Sequence, residues 1–315
     1  MNTVALLPWL LLATGAVLLG AGASWLVDGS SRLALRLGIS PMVVGLTVVG
    51  FGTSMPEFTV SVLAATRGST DLSLGNAVGS NIMNLLLVLG LAAMLVPIQV
   101  IGSRKLITRD LVFGLLPAAV LLVFVHDGMI SRWTAVLLIV IFLVFIAAVV
   151  WKARGRVAEP AMVRGSPLTH LLVTAFGIAV LVAGSELLVR GGVRLAHRFG
   201  VSEAVIGLTL VAFGTSLPEL ATSVAAVLKG ESDIGVGNVL GSNVFNLGLV
   251  VGTAFTIRPA QVATFVVYED LPILVASTLL IGLVVIRRGR ISRGTALGML
   301  ALFAAYIAFI AIRGG

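Results

Sequence analysis

Two carboxylates, Glu57 and Glu219, stand inside otherwise apolar sequence, each within the same phrase. The first copy reads Gly45-Leu-Thr-Val-Val-Gly-Phe-Gly-Thr-Ser-Met-Pro-Glu57, followed by Gly75-Asn-Ala-Val-Gly-Ser-Asn-Ile-Met-Asn84. The second reads Gly207-Leu-Thr-Leu-Val-Ala-Phe-Gly-Thr-Ser-Leu-Pro-Glu219, followed by Gly237-Asn-Val-Leu-Gly-Ser-Asn-Val-Phe-Asn246. Thr53, Glu57 and Ser61 are four residues apart, so on a helix they form one oxygen-bearing stripe with Ser54 beside it. Thr215, Glu219 and Ser223 repeat the stripe. Asn76, Ser80 and Asn84 line one face of the next helix, and Asn238, Ser242 and Asn246 match them. Four such stripes brought together make a cage of carboxylate, hydroxyl and amide oxygens. Ca²⁺ takes six to eight oxygens in flexible geometry and suits such a cage. Mg²⁺ releases its waters too reluctantly, and soft metals want His or Cys.

The elements that must carry these stripes are membrane helices. The chain has 315 residues, 58% hydrophobic and 11% charged, with a mean hydropathy of +1.14. A soluble domain is about half apolar and a quarter charged. The pI near 11.2 reflects Lys and Arg placed between apolar runs, so the basic charge points to membrane orientation and not to nucleic acid. Without Cys, disulfides, thiolate metal sites and thiol chemistry are excluded. The first twenty residues lack a basic leader and read as a first spanning helix, not a signal peptide.

Ten runs are long enough to span, roughly 4–27, 41–66, 72–95, 107–126, 131–151, 168–189, 203–228, 233–256, 266–286 and 294–312. The expected fold is an all-α polytopic membrane protein, since lipid offers no partner for free backbone groups. An offset of 162 pairs Glu57 with Glu219, Asp71 with Asp233, Asn84 with Asn246 and Pro97 with Pro259. The chain therefore divides into a five-helix repeat (1–151), a polar linker (152–167) and a second five-helix repeat (168–315). Five is odd, so the second copy inserts upside down: two inverted repeats, the plan of secondary transporters, with the substrate near the midplane. Counting Lys and Arg, fourteen of 21 fall on one side. This predicts a cell (inner) membrane protein with both termini outside and the linker in the cytoplasm. The loop carrying Arg190, Arg194 and Arg198 goes against the count.

Pro56 and Pro218 lack an N–H, which should release the carbonyls of Gly52 and Gly214 and open the helix toward the cavity. A mid-span carboxylate costs ~2.5–3.5 kcal/mol on insertion scales, and two at equivalent positions ask for a function. Blander readings suit the rest. Gly75/Gly79 and Gly237/Gly241 read as helix packing. Asn76, Asn81, Asn238 and Asn243 read as hydrogen-bond glue between helices, with ligation the alternative. Asp28, Asp110, Glu186, Glu269 and Asp270 read as interfacial, Asp71 and Asp233 as N-caps, and His126, His170 and His197 as solvated. Gly15, Gly20 and Gly22 on the first helix, with Gly177 and Gly184 on the sixth, suggest smooth sliding contacts.

The doubled Gly-Thr-Ser-x-Pro-Glu and Gly-Asn-x-x-Gly-Ser-Asn motifs resemble the α-repeats of the Ca²⁺/cation antiporter superfamily, in particular its prokaryotic sodium/calcium exchangers. The resemblance implies a central site at Glu57 and Glu219, lined by Thr53, Ser54, Thr215 and Ser216. Ser80, Asn84, Ser242 and Asn246 would complete the cage, joined by carbonyls near Gly50 and Ala212. It also implies that the first and sixth helices slide across the bundle to alternate access. In one respect the chain departs: well-known sodium/calcium members have an Asp where this chain has Asn246. The expected function is antiport of Ca²⁺ against Na⁺ across the lipid bilayer, with a proton- or potassium-dependent exchanger as the alternative and a cation channel as a distant one. No cofactor, nucleic-acid partner or enzymatic activity is expected. An intramembrane protease would need a mid-span His, Lys or paired Asp, which the sequence lacks.

Overall fold

The computed structural model describes residues 3–99, 104–125, 127–154, 165–199 and 212–313. Asp110 (as a side chain), His126, most of the linker (155–164) and the start of the seventh expected span (203–211) lie outside them. Apolar runs make helices throughout. We label them α1 (Thr3–Leu37), α2 (Pro41–Thr53), α3 (Met55–Thr66), α4 (Thr70–Leu95), α5 (Arg104–Phe124), α6 (Arg132–Arg154) and α7 (Pro167–Arg198). There follow α8 (Ala212–Thr215), α9 (Leu217–Leu228), α10 (Ser232–Ile257), α11 (Val266–Arg288) and α12 (Arg293–Arg313).

Among the described residues, seven helices are long and apolar enough to cross a membrane, and α2 with α3, bent by 46°, makes an eighth. Two more apolar helices, Val112–Phe124 and Leu217–Leu228, are shorter. The chain is an all-helical, multi-pass membrane protein. Large apolar side chains stand on its exterior, Trp133 (84% exposed), Ile312 (82%) and Trp151 (81%) among them, as a lipid-facing surface requires. The most enclosed helices are α10 and α4, whose apolar windows are 89% and 72% buried, against 28% for α1 and α7. The motif helices are thus the centre of the bundle.

The 162-residue offset reappears as contacts. Gly15, Gly22 and Gly29 of α1 and Gly177, Gly184 and Gly191 of α7 line one antiparallel seam: Gly15 meets Gly184, Gly22 meets Gly177, Gly29 meets His170 and Thr174, and Gly191 meets Pro8 and Leu12. Each triplet is spaced by seven residues, two turns, so it keeps to one face. The backbones meet so closely that a Cβ on Gly22 would lie 2.5 Å from the Leu181 nitrogen. Gly20, expected in this seam, faces open space, whereas Gly29 and Gly191, not singled out by sequence, belong to it. Two short antiparallel ribbons also join the halves. β1 (Ile98–Gln99) pairs with β4 (Arg290–Ile291), and β2 (Met129–Ile130) with β3 (Ala260–Gln261).

Several expectations about polar residues change. Asp270 is buried, not interfacial: Arg313, itself partly exposed, donates to its two oxygens at 3.1 and 3.2 Å. Asp71 does not cap its helix, since Ser69 holds the N-cap position and Asp71 Oδ1 accepts the Ala263 N–H at 2.6 Å. Asp233 likewise lies inside its helix, after Glu231 at the N-cap position. His170 is buried beneath Gly165 and Gly29, while His197 is exposed. Gly237 and Gly241 press on the backbone of Met42–Leu46. The residues that Gly75 and Gly79 would meet by the same offset, 204–208, are outside the described set.

Candidate cation site

The two proline phrases break their helices at equivalent places. Ser54 (φ −84°, ψ 7°) separates α2 from α3, and Ser216 (φ −92°, ψ 6°) separates α8 from α9. Pro56 and Pro218 then start the next helices, where a missing N–H does no harm. Glu57 and Glu219 consequently sit in first turns, α3 and α9, where the helix dipole favours negative charge. Both are fully buried, as are Ser54, Thr53, Asn84, Ser242 and Asn246.

The halves exchange hydrogen bonds across a pseudo-twofold axis. Ser216 Oγ donates to Glu57 Oε1 at 3.0 Å, and Ser54 Oγ donates to Glu219 Oε1 at 3.0 Å. Ser80 Oγ lies 3.1 Å from Ser216, and Ser242 Oγ lies 3.3 Å from Glu219 Oε1. The Gly50 carbonyl is within 3.4 Å of both Thr53 Oγ1 and Ser242 Oγ. Thr215 is buried one residue before Ser216. Ala212 begins α8, and its side chain lies outside the described set.

Asn76 and Asn238 bind their neighbours instead of facing a cavity. Asn76 Nδ2 donates to Ser61 Oγ at 2.9 Å and Asn238 Nδ2 to Ser223 Oγ at 3.1 Å, fastening α4 to α3 and α10 to α9. Asn238 Oδ1 also accepts from Thr53 at 2.9 Å. Ser61 and Ser223 are thus committed within the bundle. The Gly214 carbonyl, expected to open toward the cavity, instead accepts Ser185 Oγ of α7 at 2.7 Å.

After this accounting, four buried oxygens of the motif residues have no protein partner: Glu57 Oε2, Glu219 Oε2, Asn84 Oδ1 and Asn246 Oδ1. They are two symmetric pairs, and they form half of the eight unpartnered buried side-chain polar atoms among the described residues. Buried polar atoms are nearly always paired, so an orphaned symmetric set marks a place for something else. All four are acceptors without a proton to give when the carboxylates are ionised, and such a set suits a cation. Among the described residues no three His, Cys, Asp or Glu side chains gather, so a cation here would draw on neutral oxygens as well as the two carboxylates. Asn84 and Asn246 each also open a five-residue π turn, Asn84–Val88 and Asn246–Val250. Such wide turns are rare and collect at functional sites.

The sequence profile of the sodium/calcium exchanger protein family matches residues 7–151 and 169–312, nearly the whole chain. The chain belongs to the sodium/calcium exchanger family. It is similar to the sodium-calcium exchanger NCX_Mj, whose structure soaked with Na⁺ and Sr²⁺ superposes with a TM-score of 0.85 at 33% identity, covering 96% of this chain and 98% of that one. Inner membrane protein YrbG of Escherichia coli is 37% identical over 297 residues, 90% of each chain. Sodium/calcium exchanger MaX1 of Methanosarcina acetivorans is 28% identical over 341 residues, 95% of this chain and 97% of its own. The matched family is one of exchangers, not of enzymes. Each of the two matched segments contains one copy of the phrase.

Proposed function

We propose that this chain is a secondary-active antiporter that exchanges Ca²⁺ for Na⁺ through a midplane site. The observation that carries the proposal is the symmetric set of orphaned oxygens on Glu57, Glu219, Asn84 and Asn246. Thr53, Ser54, Thr215, Ser216, Ser80 and Ser242, with carbonyls near Gly50 and Ala212, supply the remaining oxygens. Together they meet the hard-cation requirement of several oxygens with some anionic charge. Ten spans arranged as two inverted repeats (1–151 and 168–315) hold the site in the cell membrane, with both termini outside and the 152–167 linker in the cytoplasm. The antiparallel seam between α1 and α7 favours this inversion, because equivalent helices of the two halves run in opposite directions.

Charge makes the exchange obligatory. Two ionised carboxylates sealed from water are expensive to move between the two faces without a counter-charge. One Ca²⁺ or two Na⁺ cancels them, so only loaded forms cross. Access alternates as the α1–α7 pair slides over the broken helices. Ile178 of α7 packs on Gly52 and Val189 of α7 packs on Gly214, so one helix touches the break in both halves. Glu57→Gln and Glu219→Gln test the site. Each variant should remain folded and monodisperse yet lose Ca²⁺ exchange, and near-wild-type uptake in either would refute it.

A further inference from the structure

The ligand oxygens of Asn84 and Asn246 are aimed by a ring of amides that starts from two backbone carbonyls. Asn81 Nδ2 donates to the Asn243 carbonyl at 2.9 Å, and Asn243 Nδ2 donates to the Asn81 carbonyl at 3.3 Å. A carbonyl only accepts, so each of these side chains must turn its NH₂ toward the opposite main chain. That leaves Asn81 Oδ1 and Asn243 Oδ1 facing the other way, as acceptors. Asn246 Nδ2 donates to Asn81 Oδ1 at 3.1 Å, and Asn84 Nδ2 donates to Asn243 Oδ1 at 3.1 Å. With the NH₂ of Asn84 and of Asn246 turned to the ring by these bonds, each Oδ1 points the other way, and these are the two amide oxygens without partners. All four side chains are buried.

We infer that Asn81 and Asn243 are positioning residues of the cation site: each fixes the amide orientation of the ligand across the twofold, Asn81 for Asn246 and Asn243 for Asn84. The inference rests on the proposed cation site and deepens it. It also gives a physical reason for a neutral residue at position 246. A carboxylate there has no proton to donate and would place its negative oxygen against Asn81 Oδ1. Asn81 cannot turn to relieve this, because its NH₂ is held by the Asn243 carbonyl. The coupling is crossed: Asn81 serves a residue of the other half, not Asn84 three positions further along its own helix.

The crossed pattern is the test. Equilibrium ⁴⁵Ca²⁺ binding to the detergent-purified chain is measured for Asn81→Ala, Asn246→Ala and Asn84→Ala, and for the two double variants containing Asn81→Ala. Supporting groups behind metal ligands typically cost 10–100-fold in affinity when removed. Asn81→Ala should therefore weaken Ca²⁺ binding about tenfold. In the Asn246→Ala background it should have no further effect, because the residue through which it acts is gone. In the Asn84→Ala background its full effect should persist. A merely structural role would lower the melting temperature and add equally in both backgrounds, and that result overturns the proposal. If Asn81→Ala does not fold, the mirror set with Asn243→Ala reads the same cycle, with Asn84 as the coupled partner. Unchanged Ca²⁺ binding in Glu57→Gln would instead overturn the cation site itself, an outcome distinct from additivity in the cycles.

Discussion

Ser54 belongs to the break in the first half, yet its hydroxyl donates to Glu219 of the second half at 3.0 Å; Ser216 returns the bond to Glu57 at the same distance. Each carboxylate therefore takes a hydrogen bond from the serine at the other half's break, and Glu219 takes a second from Ser242 of its own half at 3.3 Å. Site assembly and the docking of the two halves are one event, which explains why the phrase must occur twice. Hydrogen bonds to charged groups contribute about 1.5–3 kcal/mol. Ser54→Ala and Ser216→Ala should each raise the Ca²⁺ concentration for half-maximal uptake by roughly tenfold, and by similar amounts. A large effect from only one of them would contradict the symmetric site.

The α1–α7 seam predicts a different kind of defect. A side chain at Gly22 would strike the Leu181 backbone, whereas one at Gly20 would meet nothing within 4 Å. Overpacking of this kind costs about 1–3 kcal/mol. Gly22→Val should slow exchange by about tenfold or more while equilibrium Ca²⁺ binding persists, and Gly20→Val should behave as the unmutated chain. Equal rates in both variants would argue against a sliding seam.

The position of α1 is also marked along its second half. Lys229, just after α9, lies 2.7 Å from Asp28 and donates to the Ser24 carbonyl at 3.0 Å; next to this pair Ser31 donates to Glu231. An exposed pair of this sort adds little stability, about 0–1 kcal/mol, but it reports where α1 stands. The chain has no native Cys. Asp28→Cys combined with Lys229→Cys should accept a short thiol cross-linker, which should stop exchange until it is reduced. Unimpeded exchange by the cross-linked protein would mean that α1 does not move relative to α9.

Much of this architecture was legible in the chain, and the physical reasons are specific. Glu57 and Glu219 were visible because a mid-span carboxylate is costly and an offset of 162 repeats it. The oxygen stripes followed from four-residue spacing. The amide ring was not legible, because spacing reveals which residues share a face but not which face crosses to the other half. Asn81 and Asn243 therefore read only as generic glue. Asp270 read as interfacial because its partner, Arg313, lies 43 residues away and no local signal joins them. The Gly214 carbonyl was misplaced for the same reason: Pro218 announces the freed acceptor, but nothing local announces Ser185. The short ribbons at Ile98–Gln99 and Met129–Ile130 are two residues each, below what alternation can reveal.

Charge counting at the proposed site predicts a stoichiometry. In the proposed cage, whose carboxylates among the described residues are Glu57 and Glu219, two monovalent ions neutralise the charge as fully as one Ca²⁺. A third Na⁺ would have to bind neutral oxygens and leave a surplus positive charge. Exchange should therefore be close to two monovalent ions per Ca²⁺, and net Ca²⁺ flux under fixed gradients should respond little to imposed voltage. A reversal voltage matching three Na⁺ per Ca²⁺ would show that hydroxyls and carbonyls suffice for the third ion.

The central claim is tested most directly by ⁴⁵Ca²⁺ uptake into proteoliposomes holding the purified chain, with Na⁺, K⁺ and H⁺ gradients imposed one at a time. An outward Na⁺ gradient should drive Ca²⁺ accumulation above the outside concentration, equal Na⁺ on both sides should allow ⁴⁵Ca²⁺ only to equilibrate, and Glu57→Gln or Glu219→Gln should abolish both. Ca²⁺ flux that proceeds with no counter-ion on the opposite side, or that follows K⁺ or H⁺ alone and ignores Na⁺, would contradict the account.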